Sequence, residues 1–178
     1  MNNLVLVDLE NNIIGSEDKL VVHEQGLLHR AFSIIVYNDK RELLLQRRAL
    51  DKYHTPNLWT NTCCSHPYVN ESYDEAINRR LYQEMGLNCK LFESFNFVYK
   101  SILDGGMIEH EHDTVFIGQS KKLPKLNPSE ASDYMYLNVK DLVAYIQSNP
   151  EIFTPWFKII VNKLDYDFFS FKNFYMYA

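Results

Sequence analysis

A helix whose two ends are both marked constrains this chain more than any other sequence feature. Ser72 and Glu75 have the spacing of a capping box, in which the serine side chain accepts from the backbone three residues on and the glutamate reaches back. Gly86 stands where a left-handed residue would end the helix. Apolar residues recur at helical spacing between these ends, at Tyr73, Ile77, Leu81 and Met85. Residues 72–86 therefore predict a helix with one buried face.

Paired strand signals lie on both sides of this helix. Residues 32–37 and 42–46 flank a polar turn at 38–40 and predict a central hairpin. After the helix, residues 93–101 and 108–118 flank a turn that contains two glycines, and they predict a second pair of strands. Further elements are predicted as an edge hairpin at 4–14, a polar link containing Lys19 and His23, a strand at 133–138, and helices at 138–148 and 150–164.

Length and charge narrow the class of protein. A chain of 178 residues fits one domain and is long enough to bury a core without disulfides or metals. The formal net charge of −5 gives the surface as a whole no attraction for nucleic acid or an anionic membrane. Any anionic ligand must therefore be held by a local cluster of basic residues.

The cysteines and the N-terminus indicate the compartment. Three cysteines, two of them adjacent, cannot form a regular disulfide framework, which favours a reducing environment. The N-terminus lacks a basic start followed by a long apolar run, and no stretch has the roughly 18 apolar residues of a membrane span. We expect a cytoplasmic location.

Residues 59–67, Trp-Thr-Asn-Thr-Cys-Cys-Ser-His-Pro, concentrate reactive side chains in a segment with almost no charge. Cys64 lies two residues before His66, and such a thiol can be a proton donor, a nucleophile or part of a metal site. The alternative is that Cys63 and Cys64 are small buried apolar residues. The segment alone leaves both interpretations open.

Two further groups of charged residues have both a structural and a functional interpretation. Arg47, Arg48 and Lys52 form either a solvated basic loop or an anion site. On strand 108–118, Glu109, Glu111 and Asp113 alternate with His110 and His112, so the carboxylates and the imidazoles face opposite sides. Either set could bind a metal, and the periodicity does not choose between them.

Five segments in order, HEQGLLHRAFS, RRALDK, WTNTCCSHP, ESYDEAINRRLYQEMGL and IEHEHD, together resemble type I isopentenyl-diphosphate isomerase. The resemblance extends from about residue 19 to about residue 156. It implies an α+β (mixed α/β) Nudix-like fold, with a central mixed sheet flanked by helices, in a single domain spanning residues 1–178. It also implies a metal-dependent enzyme that acts on a small molecule.

The resemblance implies a metal site of three imidazoles and two carboxylates. The matching positions are His23, His29, His66, Glu109 and Glu111. It thereby chooses the carboxylates of strand 108–118 over its imidazoles. Such a set suits a divalent ion of intermediate character, Mg, Mn or Zn, without selecting one.

The catalytic residues implied by the resemblance are Cys64, Glu111 and Tyr99. Moving a double bond within a five-carbon diphosphate requires one group to give a proton to C4 and another to remove one from C2. The family's intermediate is a tertiary carbocation, which the ring of Trp156 can stabilise in a water-excluded pocket. A closing lid is therefore expected, and residues 1–28 are the candidate.

The resemblance assigns the substrate's diphosphate to four basic residues, Lys19, Arg48, Lys52 and Arg80. It also implies a second Mg that bridges the diphosphate to Glu84. That residue is the surviving acid of a Nudix box, which normally holds an Arg-Glu and then a Glu-Glu pair before its glycine. With two acids lost, we expect the diphosphate to be bound and not cleaved.

The sequence leaves two alternative functions open and differs from the family at two positions. A Nudix hydrolase of a nucleoside or isoprenoid diphosphate is the enzymatic alternative, and a structural zinc site of Cys63, Cys64 and His66 is the non-catalytic one. Ser65 replaces the family's glycine, and Cys63 has no assigned role. The aromatic segment 165–178 is expected to pack on the body or on a partner chain, which leaves a monomer or a homodimer.

Overall fold

The structure is a computed structural model that describes residues 3–52 and 54–164, and the strands within these ranges form one mixed β-sheet. Its strands are β1 Asn3–Val7, β2 Ile13–Asp18, β3 His29–Tyr37, β4 Leu43–Arg48, β5 Trp59–Thr60, β6 Cys63–Ser65, β7 Leu91–Ile102, β8 Ile108–Gln119 and β9 Ala131–Leu137. Its helices are α1 Lys19–Gln25, α2 Tyr73–Met85, α3 Val139–Ser148 and α4 Pro155–Lys163. The α+β class is confirmed.

Strand β3 is the centre of the sheet. It runs parallel to β8 along its whole length, and one of the paired positions sets His29 beside Glu111. It also pairs antiparallel with β6, where Ser33 faces Cys64, and it touches β1 and β4 near its two ends. Because β3 contacts β6 and β8, segments distant in sequence carry neighbouring side chains.

The sheet has a core on each face. Phe32 and Ile34 of β3 pack with α2 on one face, whereas Ile35 packs with α3 and α4 on the other. The same alternation separates the adjacent cysteines, since Cys63 belongs to the α2 core and Cys64 packs against the α4 core. Only Cys64 therefore shares a sheet face with Trp156.

Helix α2 is confirmed with both of its predicted ends. Ser72 and Glu75 form the capping box in both directions, and Gly86 ends the helix with a φ of 63°. Three of the four predicted stripe positions, Ile77, Leu81 and Met85, are fully buried, and Tyr73 is half-buried.

Two predicted segments are wrong. Residues 19–25 form helix α1, not a polar link, with Asp18 capping its first turn and Gly26 in the left-handed conformation after it. The helix predicted at 150–164 begins only at Pro155, because Pro150–Ile152 is a short 3₁₀ turn and the chain is extended at Phe153. Helical dihedrals are sterically disfavoured for a residue that precedes proline, here Thr154 before Pro155, which explains why the helix starts later than predicted.

The two predicted hairpins are both present, although the second is shorter than expected. The opening hairpin is confirmed as a sheet edge formed by β1 and β2. The central hairpin pairs at only two positions, and β5 pairs with β4 at the following residues Gln46 and Arg47. The aromatic segment 165–178 lies outside the described residues. Among the helices that are described, none is both long enough and apolar enough to cross a membrane.

Candidate active site

A cavity of about 210 Å³ opens between α1, α4 and the ends of β6, β7 and β8. The predicted residues that line it are Lys19, Arg48, Lys52, Cys64, His66, Arg80, Tyr99, Glu109, Glu111 and Trp156. His23 and His29 are fully buried beside it. Glu84 does not line the cavity, but it pairs with Arg80, which does.

Four donor atoms converge beneath the cavity. His23 comes from α1, His29 from β3, His66 from the residue after β6, and Glu109 from β8. One potential ligand atom of each lies within 4.8 Å of all the others. The pairing of β3 with β6 and β8 explains this convergence, since the first residues of β3 and β8 and the last residues of β6 lie at the same end of the sheet.

Hydrogen bonds to the backbone set the proton position on two of the imidazoles. Nδ1 of His23 lies 2.6 Å from the carbonyl oxygen of Lys19, and Nδ1 of His29 lies 2.9 Å from that of Leu27. A carbonyl oxygen can only accept, so each Nδ1 carries a hydrogen, and in the neutral imidazole each Nε2 directs a lone pair inward. This is the arrangement that metal-binding histidines use.

The cluster fits a divalent cation. Nε2 of His29 lies 3.2 Å from Nε2 of His66, and Oε2 of Glu109 is buried without a hydrogen-bond partner. Converging lone pairs next to an unpaired carboxylate oxygen are costly unless a positive charge joins them. Imidazole nitrogens with a carboxylate suit several divalent ions, among them Zn and Mn.

Glu111 lies between the imidazole cluster and the cavity. Its Oε1 is 2.9 Å from Nε2 of His66 and 3.6 Å from Nε2 of His29, and its Oε2 accepts a 2.7 Å hydrogen bond from the Tyr99 hydroxyl. Burial alone would raise the pKa of Glu111, but the two imidazoles outweigh it and hold the pKa well below its usual range. Burial and the nearby carboxylates raise the pKa of Tyr99 well above normal.

The predicted alternation along β8 is confirmed in part. Glu109 belongs to the cluster and Glu111 contacts His29 and His66 of it, while Asp113 is buried on the same face and accepts a 2.8 Å hydrogen bond from Ser33. Burial, followed by the charge of Glu111, raises the pKa of Asp113 well above its usual range. His110 instead contacts the carbonyl of Gly26, away from the cluster.

Cys64 lines the cavity as a thiol. Its pKa is raised to about 12, mainly by burial and also by the charges of Glu84, Glu111 and Asp113, against the opposing charge of Arg48. Cys63 is fully buried on the α2 face. Within the described part of the chain, no group of potential ligands combines the two cysteines with His66. The structural zinc site considered from the sequence is therefore contradicted by the strand alternation.

The four predicted clamp residues surround the mouth of the cavity. Arg48 is held by the carbonyls of His54 and Thr55, at 3.1 and 3.0 Å. Lys52 and Arg80 share the carboxylate of Glu130, a residue that sequence reasoning missed because it lies in the polar link before β9. Burial lowers the pKa of Lys19, and Glu109 partly offsets that effect.

Glu84 is buried and has a partner at each oxygen. Oε1 pairs with Arg80, four residues earlier on α2, at 2.5 Å, and Oε2 accepts from Gln46 at 2.9 Å. It interacts electrostatically with Cys63 as well. Its predicted role as a ligand of a second Mg stays a prediction.

His54 is a second residue of the site that no sequence signal indicates. It lies in the loop between β4 and β5, is 6% exposed, and approaches Glu109 and the ring of Trp156. A lone histidine in a polar loop carries no periodic or spacing signal. Only the folded arrangement brings it to the cluster.

The fold is that of a known domain family. The NUDIX domain matches residues 27–157. The crystal structure of DR0079 from Deinococcus radiodurans superposes with a TM-score of 0.75 at 19% identity, covering 90% of this chain and 98% of that one. A MutT protein from Methanosarcina mazei gives 0.64 at 17% identity, covering 76% of this chain and 91% of that one. At these identities the likeness concerns the fold.

Curated relatives are similar over nearly their whole length. Isopentenyl-diphosphate Delta-isomerase 2 of Photorhabdus laumondii is 50% identical, with 92% of each chain covered. Isopentenyl-diphosphate Delta-isomerases of Serratia proteamaculans and Pectobacterium atrosepticum are 44% and 40% identical, with 90% and 97% of each chain covered. The chain is thus a member of the NUDIX family and, within it, belongs with the isopentenyl-diphosphate Delta-isomerases.

Proposed function

We propose that this protein is an enzyme that isomerises isopentenyl diphosphate to dimethylallyl diphosphate in isoprenoid biosynthesis. The observation that carries the proposal is one cavity that holds Cys64, the Glu111–Tyr99 pair and four basic residues together. The reaction needs two acid–base groups and an anion site, and this cavity offers both. The names of the relatives agree with it.

The acid–base step is assigned to Cys64 and to the Glu111–Tyr99 pair. One gives a proton to C4 of the substrate and the other accepts one from C2, so the number of protons on the substrate is unchanged. The thiol enters with its proton because its pKa is about 12, and the carboxylate enters ionised in the metal-free protein because its pKa is low. Tyr99 keeps its proton and steadies the carboxylate through the 2.7 Å hydrogen bond.

Trp156 is assigned to the carbocation. Its indole nitrogen donates a 3.0 Å hydrogen bond to Thr60, which fixes the ring in the wall of the cavity. An aromatic face attracts positive charge most strongly where water is excluded. Residues 1–28 are the proposed lid that excludes it, and their described part contributes Lys19 and His23 to the site.

His23, His29, His66, Glu109 and Glu111 are proposed to hold one divalent metal. The ion is Mg, or Mn or Zn at this mixed nitrogen and oxygen site. When bound, it supplies positive charge that tunes the acidity of Glu111. A second Mg is proposed to accompany the diphosphate at Glu84.

Lys19, Arg48, Lys52 and Arg80 are proposed to bind the diphosphate without cleaving it. Arg80 and Gln83 stand where a hydrolytic Nudix box carries acids, and Arg80 already neutralises Glu84. Hydrolysis of a nucleoside or isoprenoid diphosphate is the alternative function. The free cysteines support a cytoplasmic location, and the net charge of −5 argues against a nucleic-acid partner; the protein is proposed to be a monomer or a homodimer.

The test compares the wild-type protein with Cys64→Ala on isopentenyl diphosphate, measuring both dimethylallyl diphosphate and free phosphate. We expect isomer without phosphate from the wild type. The variant should lose isomerisation by a factor of about 10² to 10⁴. It should keep the same cooperative thermal unfolding, which separates a catalytic role from a structural one. Release of phosphate as the main product would contradict the proposal and favour the hydrolase.

A further inference from the structure

His54, in the loop between β4 and β5, contacts Glu109 of the imidazole cluster. Its Nε2 lies 3.3 Å from Oε1 of Glu109, and its Nδ1 lies 3.1 Å from the hydroxyl of Thr55. A carboxylate accepts and does not donate, so Nε2 carries the hydrogen and Nδ1 accepts from the hydroxyl. The ring therefore presents an N–H to Glu109.

The two oxygens of Glu109 have different surroundings. Oε1 faces His54, whereas Oε2 is buried without a hydrogen bond, 3.3 Å from Nε2 of His23 and 3.9 Å from Nε2 of His29. The unpaired oxygen is thus the one directed at the converging imidazole lone pairs. While Oε1 is in contact with His54, the carboxylate cannot direct both of its oxygens at the imidazole cluster.

The His54 ring is itself held between aromatic side chains. It stacks on His23 with centroids 5.9 Å apart and meets Trp156 edge-on at 6.2 Å. Arg48 anchors the surrounding loop by binding the carbonyl of His54. A ring fixed on both sides can orient a carboxylate with little loss of conformational freedom.

We propose that His54 is a positioning residue of the metal centre, which occupies Oε1 of Glu109 so that Oε2 alone is presented to the cation. This inference rests on the proposed function, because it takes Glu109 as a metal ligand. His54 is not a ligand of the ion in this role. It acts through Glu109.

The experiment measures the affinity of the full-length protein for Co²⁺ by competition with a chromophoric chelator, together with the visible absorption of the bound Co²⁺. His54→Phe keeps an aromatic ring against Trp156 and removes the donor. His54→Gln removes the ring and keeps an amide N–H that can reach Oε1. His54→Met is a second variant without a donor, should the phenylalanine not fold, and thermal unfolding of the chelator-treated proteins checks folding.

We expect His54→Phe and His54→Met to bind Co²⁺ about 10- to 100-fold more weakly than the wild type, with altered absorption, because outer hydrogen bonds orient ligands. His54→Gln should recover most of the affinity and the original spectrum. A ring that only fills space would give the opposite order, with phenylalanine near the wild type and glutamine weakest, and that result would overturn the inference. If the wild type itself fails to bind Co²⁺, the proposed metal centre fails, and the inference fails with it.

Discussion

At the residue scale, neighbours in the sequence have unlike surroundings. Cys63 and Cys64 are adjacent, yet one lies in the α2 core and the other in the cavity wall, because successive strand residues face opposite sides. Glu109 and Glu111 lie on the same face of β8, yet their pKa values are shifted in opposite directions. Burial and the charge of Glu111 raise the pKa of Glu109, whereas imidazole contacts keep that of Glu111 low.

The raised pKa of Cys64 predicts slow alkylation in the metal-free protein. A thiol with a pKa of about 12 is ionised to only about one part in 10⁴ at pH 8, against roughly a quarter for an ordinary thiol. The iodoacetamide rate at Cys64, followed by mass spectrometry, should rise about tenfold per pH unit up to pH 10. A plateau reached below pH 9 would show a thiolate that burial does not suppress, and the chemically unfolded protein serves as the control.

At the element scale, the two ends of α2 are set by local side-chain and backbone contacts, and the clearest example is the glycine that caps its C-terminus. Gly86 has a φ of 63°, and a Cβ added there would come within 2.8 Å of the carbonyl oxygen of Lys125. Gly105, at a φ of 73°, has nothing within 4 Å of an added Cβ. Comparing a substitution at the two positions therefore separates the free-energy cost of the left-handed conformation from the cost of a clash with the backbone.

Gly86→Ala and Gly105→Ala form a matched pair. Both place a side chain in the left-handed region, which costs about 1–2 kcal/mol of unfolding free energy. Only Gly86→Ala must also displace the backbone at Lys125, so urea denaturation should show the larger loss for that variant. Equal losses at the two positions would mean that the segment after α2 moves freely and does not hold the helix end.

At the scale of the whole molecule, the parts that the sequence predicted are those with local signals. Each of these signals spans only a few residues: the capping box, the glycine cap and the alternation on β8. The short helix α1 has only seven residues, and its apolar run was too brief to distinguish from a link. His54 and Glu130 reach the cavity through irregular segments, and the pairing of Glu84 with Gln46 joins α2 to β4. Such contacts depend on tertiary packing, which no local pattern encodes.

The convergence of imidazoles from α1, from β3 and from the residue after β6 predicts that a bound metal stabilises the whole fold. A ligand at a hundredfold excess over its dissociation constant adds about 2.7 kcal/mol to the unfolding free energy. Zn²⁺ should therefore raise the thermal midpoint of the wild type, and His29→Ala should abolish the increase. His110→Ala, on the other face of β8, should retain it. An equal increase in both variants would place the stabilising ion elsewhere.

The account as a whole depends on Cys64 and Glu111 moving protons on one substrate in one cavity. Proton NMR of the purified protein with isopentenyl diphosphate in deuterated water, with Mg²⁺ and separately with a chelator, tests this directly. We predict metal-dependent formation of dimethylallyl diphosphate with deuterium in its methyl group, and none from Cys64→Ala or Glu111→Gln. Isomerisation that proceeds undiminished in either variant would contradict the assignment of the acid–base pair.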